Sequence, residues 1–199
     1  MPSDYGTSNR KVEHVNIALN KPVQFTDKTT GFSEMEIEYL SLPELDADKI
    51  ETKTRFLAHD FSFPYMVSSM TGGHASLKQI NVDMARACEV VKIGMGLGST
   101  RAAIEKPATF STFDVRKYAP HIFLACNLGV SQLKEYSTST IQKLVNELQY
   151  DALIINTNAA QEIVQEEGTP HFAHALKEIS RVANELEQPV IVKEVGSGL

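Results

Sequence analysis

The chain has 199 residues, 42% of them apolar, and a formal net charge of −6. That length suits one domain with a substantial core, and the acidic balance argues against non-specific nucleic-acid binding, which needs a basic surface. No apolar run approaches the roughly twenty residues of a membrane span. Met1 to Arg10 is polar and lacks the apolar centre of a signal peptide. Cys88 and Cys126 are the only cysteines and form no close metal-type pair, so two reduced, buried thiols in a cytoplasmic protein are expected.

In chain order, Asn9 to Leu19 is predicted as a short helix, with Val12, Val15 and Ile17-Ala18-Leu19 on one side. Asn20 to Gly31 is a polar connection. Phe32 to Leu57 carries short apolar pieces, and Thr52 to Phe56 leads towards the first strand of the main fold. Residues 1–60 are therefore expected to form an amino-terminal arm, and residues 61–199 the main α/β domain.

From Pro64 onward, five apolar runs each end in polar or glycine residues. They are Tyr65-Met66-Val67, Ile93-Gly94-Met95-Gly96, Ile122 to Cys126, Ala152 to Ile155 and Val190-Ile191-Val192. Helices are predicted between them over Leu77–Val91, Pro107–Tyr118, Thr138–Leu148 and Ala173–Glu187. Ile80, Met84 and Cys88 repeat at helical spacing, and Thr138 and Ser139 suit an N-cap. Strands recurring about every thirty residues imply βαβ units and a parallel sheet. An open Rossmann sheet is the competitor, but the first strand-to-helix turn lacks G-x-G-x-x-G. Gly94-Met95-Gly96-Leu97-Gly98 comes close to that pattern, yet it lies on the second strand itself.

In a parallel barrel, chemistry sits at the carboxyl ends of the strands. Lys193 directly follows a run that should be buried, and a buried lysine needs a partner. It can point a cation at a cofactor or an anion, or form a salt bridge to Glu194 or another strand-end carboxylate. Asn127 offers a donor and an acceptor to a heterocycle's edge, or a structural bond to a neighbouring loop. Ser69, Thr71 and Ser99 are hydroxyl residues beside glycines, where a ligand can approach backbone and where ordinary turns also use hydroxyls. Gln161-Glu162 and Glu166-Glu167-Gly168 give carboxylates suited to Mg2+ or to a solvated loop. Arg10-Lys11, with His14 one turn on, could clamp a phosphate or serve as surface charge. The remaining histidines match no metal pattern, and neither a P-loop nor a G-x-S-x-G elbow is present.

Six motifs in order carry a resemblance. Arg10-Lys11-Val12-Glu13-His14, Met70-Thr71-Gly72-Gly73, Gly94 to Arg101, Asn127-Leu128-Gly129, Gln161-Glu162 and Val192-Lys193-Glu194 together resemble type 2 isopentenyl diphosphate isomerase, from about Asn9 to Leu199. The resemblance implies a TIM (β/α)8 barrel of which this chain would carry about five parallel βα units after its arm. It also implies an FMN- and Mg2+-dependent isomerase, reduced with NADPH, that interconverts isopentenyl and dimethylallyl diphosphate. On the matching motifs, Ser69, Met70, Thr71, Ser99, Asn127 and Lys193 would contact FMN. Arg10, Lys11, Ser99, Thr100 and Arg101 would bind the diphosphate. Gln161 would sit at the reacting hydrocarbon, and Glu162 would hold Mg2+.

Three departures stand out. Asn156 occupies the family's histidine position, followed by Thr157, and Thr100 stands where glutamine is usual. The family also continues for about three more βα units, including loops for the FMN phosphate. A chain ending at Leu199 is thus expected to catalyse poorly, and its open strand edges would favour homo-oligomers or association with another chain. The rivals are a non-catalytic half-barrel and another FMN-dependent barrel oxidoreductase.

Overall fold

The computed structural model describes residues 7–165 and 168–196, the first four of them (7–10) as backbone only. Strands β1 (Thr54–Phe56) and β2 (His59–Phe61) form an antiparallel hairpin. Strands β3 (Met66–Val67), β4 (Gly94–Gly96), β5 (Leu124–Gly129), β6 (Ala152–Asn156) and β7 (Val190–Lys193) form one parallel sheet in sequential order. The helices are α1 (Thr7–Asn20), α2 (Lys78–Val91), α3 (Arg101–Glu105), α4 (Thr138–Leu148), α5 (Ala159–Val164) and α6 (Ala175–Glu185). The five parallel strands make a curled half-barrel, as the spacing of the apolar runs predicts.

Alternation along the strands sorts side chains to two faces. Leu124, Cys126 and Leu128 of β5, Leu153 and Ile155 of β6, and Met95 and Leu97 around β4 enter the large core beneath the helices. Phe123, Ala125, Ala152 and Ile154 enter a smaller core on the other, concave face, with Phe61, Met66 and Ile191. Continuing the same period past these residues puts Asn127, Asn156 and Lys193 on the concave face at the carboxyl ends. Register aligns the last two directly, Asn156 opposite Lys193.

The helices deliver the outer half of the core. Ile141, Leu144, Val145 and Leu148 are the buried stripe of α4. Its N-cap is Ser137, whose side chain accepts from the Thr140 amide, rather than Thr138 or Ser139. The Thr138 hydroxyl instead donates to Glu185 and accepts from Arg181, tying α4 to α6. On α2 the buried residues are Asn81, Val82, Ala85 and Cys88. The apolar stripe is thus rotated from that suggested by Ile80 and Met84, which turn towards a cavity instead. Both cysteines are buried and free.

The stretch read as a helix over 107–118 is two 3-10 turns, Pro107–Thr112 and Arg116–Tyr118. Phe113 and Val115 are both buried, and residues two apart cannot share one face of an α-helix. The chain breaks helical geometry to bury both. None of the helices among the described residues is long and apolar enough to cross a membrane.

Candidate functional site

A cavity of about 550 Å³ opens over the carboxyl ends of the parallel strands, within the size range of small-molecule sites. Its floor includes Ser69, Thr71, Gly96, Asn127, Asn156 and Lys193, while α1 contributes Lys11 and His14 to the wall. Among the described lining residues, three cations (Lys11, Arg101, Lys193) face one carboxylate (Glu162). An acidic chain therefore gathers positive charge at one place, which favours an anionic ligand.

Close backbone approach builds the floor. A Cβ on Gly96 would lie 2.5 Å from Ser69 Oγ and 3.1 Å from Ile154 Cδ1. A Cβ on Gly98 would lie 2.5 Å from the Thr71 carbonyl oxygen, so any larger residue would displace the loop. The glycines that suggested a nucleotide-type turn serve here to let the 68–73 segment lie against β4. Within that segment, Ser69 Oγ and Thr71 Oγ1 are buried without a hydrogen-bond partner among the described residues. Such groups cost free energy unless something satisfies them. Both border the cavity, so a polar ligand edge is the natural partner.

Lys193 Nζ donates to Asn156 Oδ1 at 3.3 Å and to the Glu194 carbonyl at 3.2 Å. These acceptors are neutral and leave the ammonium's charge available to the cavity. Arg101 is oriented from behind, its Nε 3.4 Å from Glu105 Oε1. Tyr136 donates to the same carboxylate oxygen at 2.9 Å. Burial, reinforced by Glu105, pushes the Tyr136 phenol well above its usual range, so it remains a donor.

Gln161 and Glu162 lie in the first turn of α5. Asn158 caps that helix, its Oδ1 accepting from the Gln161 amide at 3.1 Å, while its Nδ2 donates to Gln161 Oε1 at 2.7 Å. Glu162 Oε2 accepts from the Thr169 amide at 2.8 Å, which fixes the carboxylate at the cavity's edge.

Most of the residues singled out from sequence therefore converge. Lys11, Ser69, Met70, Thr71, Ser99, Arg101, Asn127, Gln161, Glu162 and Lys193 all border the one cavity. Thr100 does not. Its side chain is fully buried, and its hydroxyl donates to the Asn127 carbonyl at 2.9 Å, so it supports Asn127 from below. The Arg10 side chain and Glu166-Glu167 lie outside the described residues. Sequence reasoning missed Asn81 and Thr112, which hold the 71–73 segment; a polar residue on the buried stripe of α2 was the available signal.

These features define a parallel βα half-barrel with an anion-receptive ligand cavity at its strand ends. No family model matches the chain. Curated relatives do. It is 39% identical over 194 residues to isopentenyl-diphosphate delta-isomerase of Methanococcoides burtonii, covering 97% of this chain and 53% of that protein. The proteins of that name from Nostoc sp. (38% over 194 residues, 97% and 55%) and Rickettsia felis (42% over 191 residues, 96% and 55%) are similar in the same way. The chain is thus a homologue of proteins named isopentenyl-diphosphate delta-isomerase across nearly its whole length, in agreement with the motifs. It spans about half the length of the curated relatives it matches.

Proposed function

We propose that this chain carries the flavin- and diphosphate-binding half of an isomerase that interconverts isopentenyl and dimethylallyl diphosphate. The observation that carries this reading is the pair of buried, unpartnered hydroxyls of Ser69 and Thr71 on a cavity that also presents Lys193, Arg101 and Lys11. The names of the relatives support the same substrates.

The residues fit FMN. Ser69, Thr71 and Asn127 offer hydrogen bonds to a heterocyclic edge, and Met70 and Ser99 would flank it on the cavity wall. Lys193 would stabilise negative charge on that ring through an ammonium held by neutral acceptors. Reduced with NADPH, the bound flavin would supply the acid–base group for a redox-neutral shift of a proton between allylic carbons. Arg10, Lys11, Ser99 and Arg101 would bind the diphosphate, with Thr100 acting through Asn127. Gln161, held by Asn158, would sit at the hydrocarbon. Glu162 would hold Mg2+, which takes carboxylate oxygen, water and substrate phosphate together; one carboxylate beside a diphosphate site suits that ion. A cytoplasmic setting accords with two reduced thiols.

A second reading has its own observation. Among the described residues, β3 and β7 each pair on one side only, and Val192 of β7 is exposed. Such edges favour assembly, either of copies of this chain or with another chain that completes the site. The decisive experiment mixes the purified chain with FMN, follows flavin fluorescence, and then assays isomerisation with Mg2+ and NADPH. Flavin binding with turnover supports the isomerase. Binding without turnover, in an oligomer by light scattering, supports the assembly reading. A chain that neither binds FMN nor turns over, alone or assembled, removes the first proposal.

A further inference from the structure

One buried polar network lies directly behind the cavity wall, reaching the lining at Asn81 while Thr112 stays outside it. Asn81, on α2, is 1% exposed. Its Nδ2 donates to the Thr112 carbonyl at 2.8 Å and to the Thr71 carbonyl at 3.3 Å. The Thr71 carbonyl also accepts from the Gly98 amide at 3.0 Å. Thr112 closes the circuit from the other side, since its Oγ1 accepts from the Gly73 amide at 2.9 Å and donates to the Thr109 carbonyl at 2.7 Å. Gly73 has φ +85°, and a Cβ on Gly72 would overlap the Phe113 ring. The segment therefore has little room to move sideways, and its backbone polar groups are met by two side chains remote in sequence.

We infer that Asn81 and Thr112 are positioning residues for the cavity: they clamp the 71–73 backbone so that the Ser69 and Thr71 hydroxyls stay dry, unpaired and directed to a ligand. The physical case is one of unequal outcomes. A loop free to relax would turn those hydroxyls to water or to nearby carbonyls, since an unsatisfied buried hydroxyl is unfavourable. Here the Thr71 carbonyl already has two donors, and the backbone is held on both sides. Preorganisation of this kind lowers the ordering cost of binding. It also explains the break of helix at Thr112 in functional terms. The 3-10 turn presents the Thr112 hydroxyl to the loop and the carbonyl of the same residue to Asn81.

This inference deepens the flavin reading, and its test separates the two. The variants are Thr112→Val, which keeps shape and removes the hydroxyl, Thr112→Ser, which restores it, and Asn81→Asp, which removes both donors. Amide hydrogen exchange of the 199-residue chain without ligand is read at Gly73 and Gly98, with the sheet amide of Leu153 as reference; FMN affinity is read by fluorescence quenching. In Thr112→Val, exchange at Gly73 should rise roughly tenfold while Leu153 is unchanged, and FMN affinity should fall by a similar factor. Thr112→Ser should behave as the unmodified chain. Asn81→Asp should speed exchange at Gly98 as well.

Unchanged exchange at Gly73 and Gly98 overturns the clamp whether or not FMN binds. Faster exchange with unchanged FMN affinity, in a chain that binds FMN, overturns its positioning role. If the unmodified chain fails to bind FMN, the flavin reading falls, and the exchange data alone then uphold or overturn the clamp.

Discussion

The two ends of the half-barrel are built on opposite rules. At the amino ends of the strands, no buried side-chain polar atom among the described residues lacks a partner. Arg116 donates to Asp151 Oδ2 at 2.6 Å and to the carbonyls of Gln149, Ala119 and Ile122. Asp151 Oδ2 accepts in addition from the Leu124 amide. The β1–β2 hairpin closes that end with Phe56, Phe61 and His59 around Phe123. At the carboxyl ends, two hydroxyls are buried unpaired, a lysine rests on neutral acceptors, and an open cavity remains. One end is satisfied without a ligand; the other is organised for one. The contrast teaches where stability and function have been separated in a single sheet.

The largest way to break this contrast is at the closed end. Arg116→Met removes the guanidinium from the Asp151 carboxylate and from the carbonyls of Gln149, Ala119 and Ile122 in a largely buried place. Loss of about 3 kcal/mol of unfolding free energy is expected, measured by urea denaturation. The folded fraction should bind ligand at the cavity as before. A variant that kept its stability but lost the cavity's ligand would reverse the assignment of the two ends.

Lys193→Met should do the opposite. Its ammonium contacts only neutral acceptors in the hydrogen bonds described, so the urea midpoint should stay within experimental error. Turnover of the assembled or intact enzyme should fall on the order of 10²-fold, the usual loss when a charge-stabilising group is removed. Equal loss of stability would mean that Lys193 belongs to the framework.

Gly96→Ala tests the boundary between the two. The added methyl would lie 2.5 Å from Ser69 Oγ and close to Ile154, so it must push one of them. Overpacking of about 1–3 kcal/mol is expected, together with weaker FMN binding through the displaced hydroxyl. Unaltered FMN binding would show that Ser69 is not part of the ligand's surroundings.

Much of this division could be read from the chain beforehand. The apolar runs located all five parallel strands, because a strand buried on both faces must be apolar along its length. Their position at the ends of apolar runs then singled out Asn127 and Lys193, and both border the cavity. What escaped prediction depended on packing between distant segments. The hairpin over 54–61 turns through Leu57 and Ala58 at positive φ, without the Asn-Gly or Asp-Gly signal that usually marks such turns. Helices α3 and α5 have five and six residues, too short to show a periodicity. Asn81 was hidden in an apolar helix whose stripe was read one residue out of phase, and Thr112 in a stretch that looked helical. Both are fixed by partners ten to forty residues away, which no local pattern contains.

The smallest expected effect lies just behind the cavity, on the outer face of β5. Cys126 is completely buried next to Asn127, and burial pushes its thiol up to about 12 from 9. The folded-state value is the raised one, so between pH 9 and pH 12 the unfolded chain has released a proton that the folded chain retains. Stability is therefore fully present below pH 9 and declines as pH rises through that window, by at most about 1.4 kcal/mol per pH unit for one proton. Buried Tyr150, whose phenol is also pushed upward by desolvation, adds to the decline above pH 10. Urea unfolding of the chain and of Cys126→Ala at pH 8, 9 and 10 isolates the cysteine's share as a difference in slope. Equal slopes would mean that the thiol ionises in the folded chain as readily as in water. The face of β5 opposite the cavity would then be wet instead of part of the packed core beneath the helices.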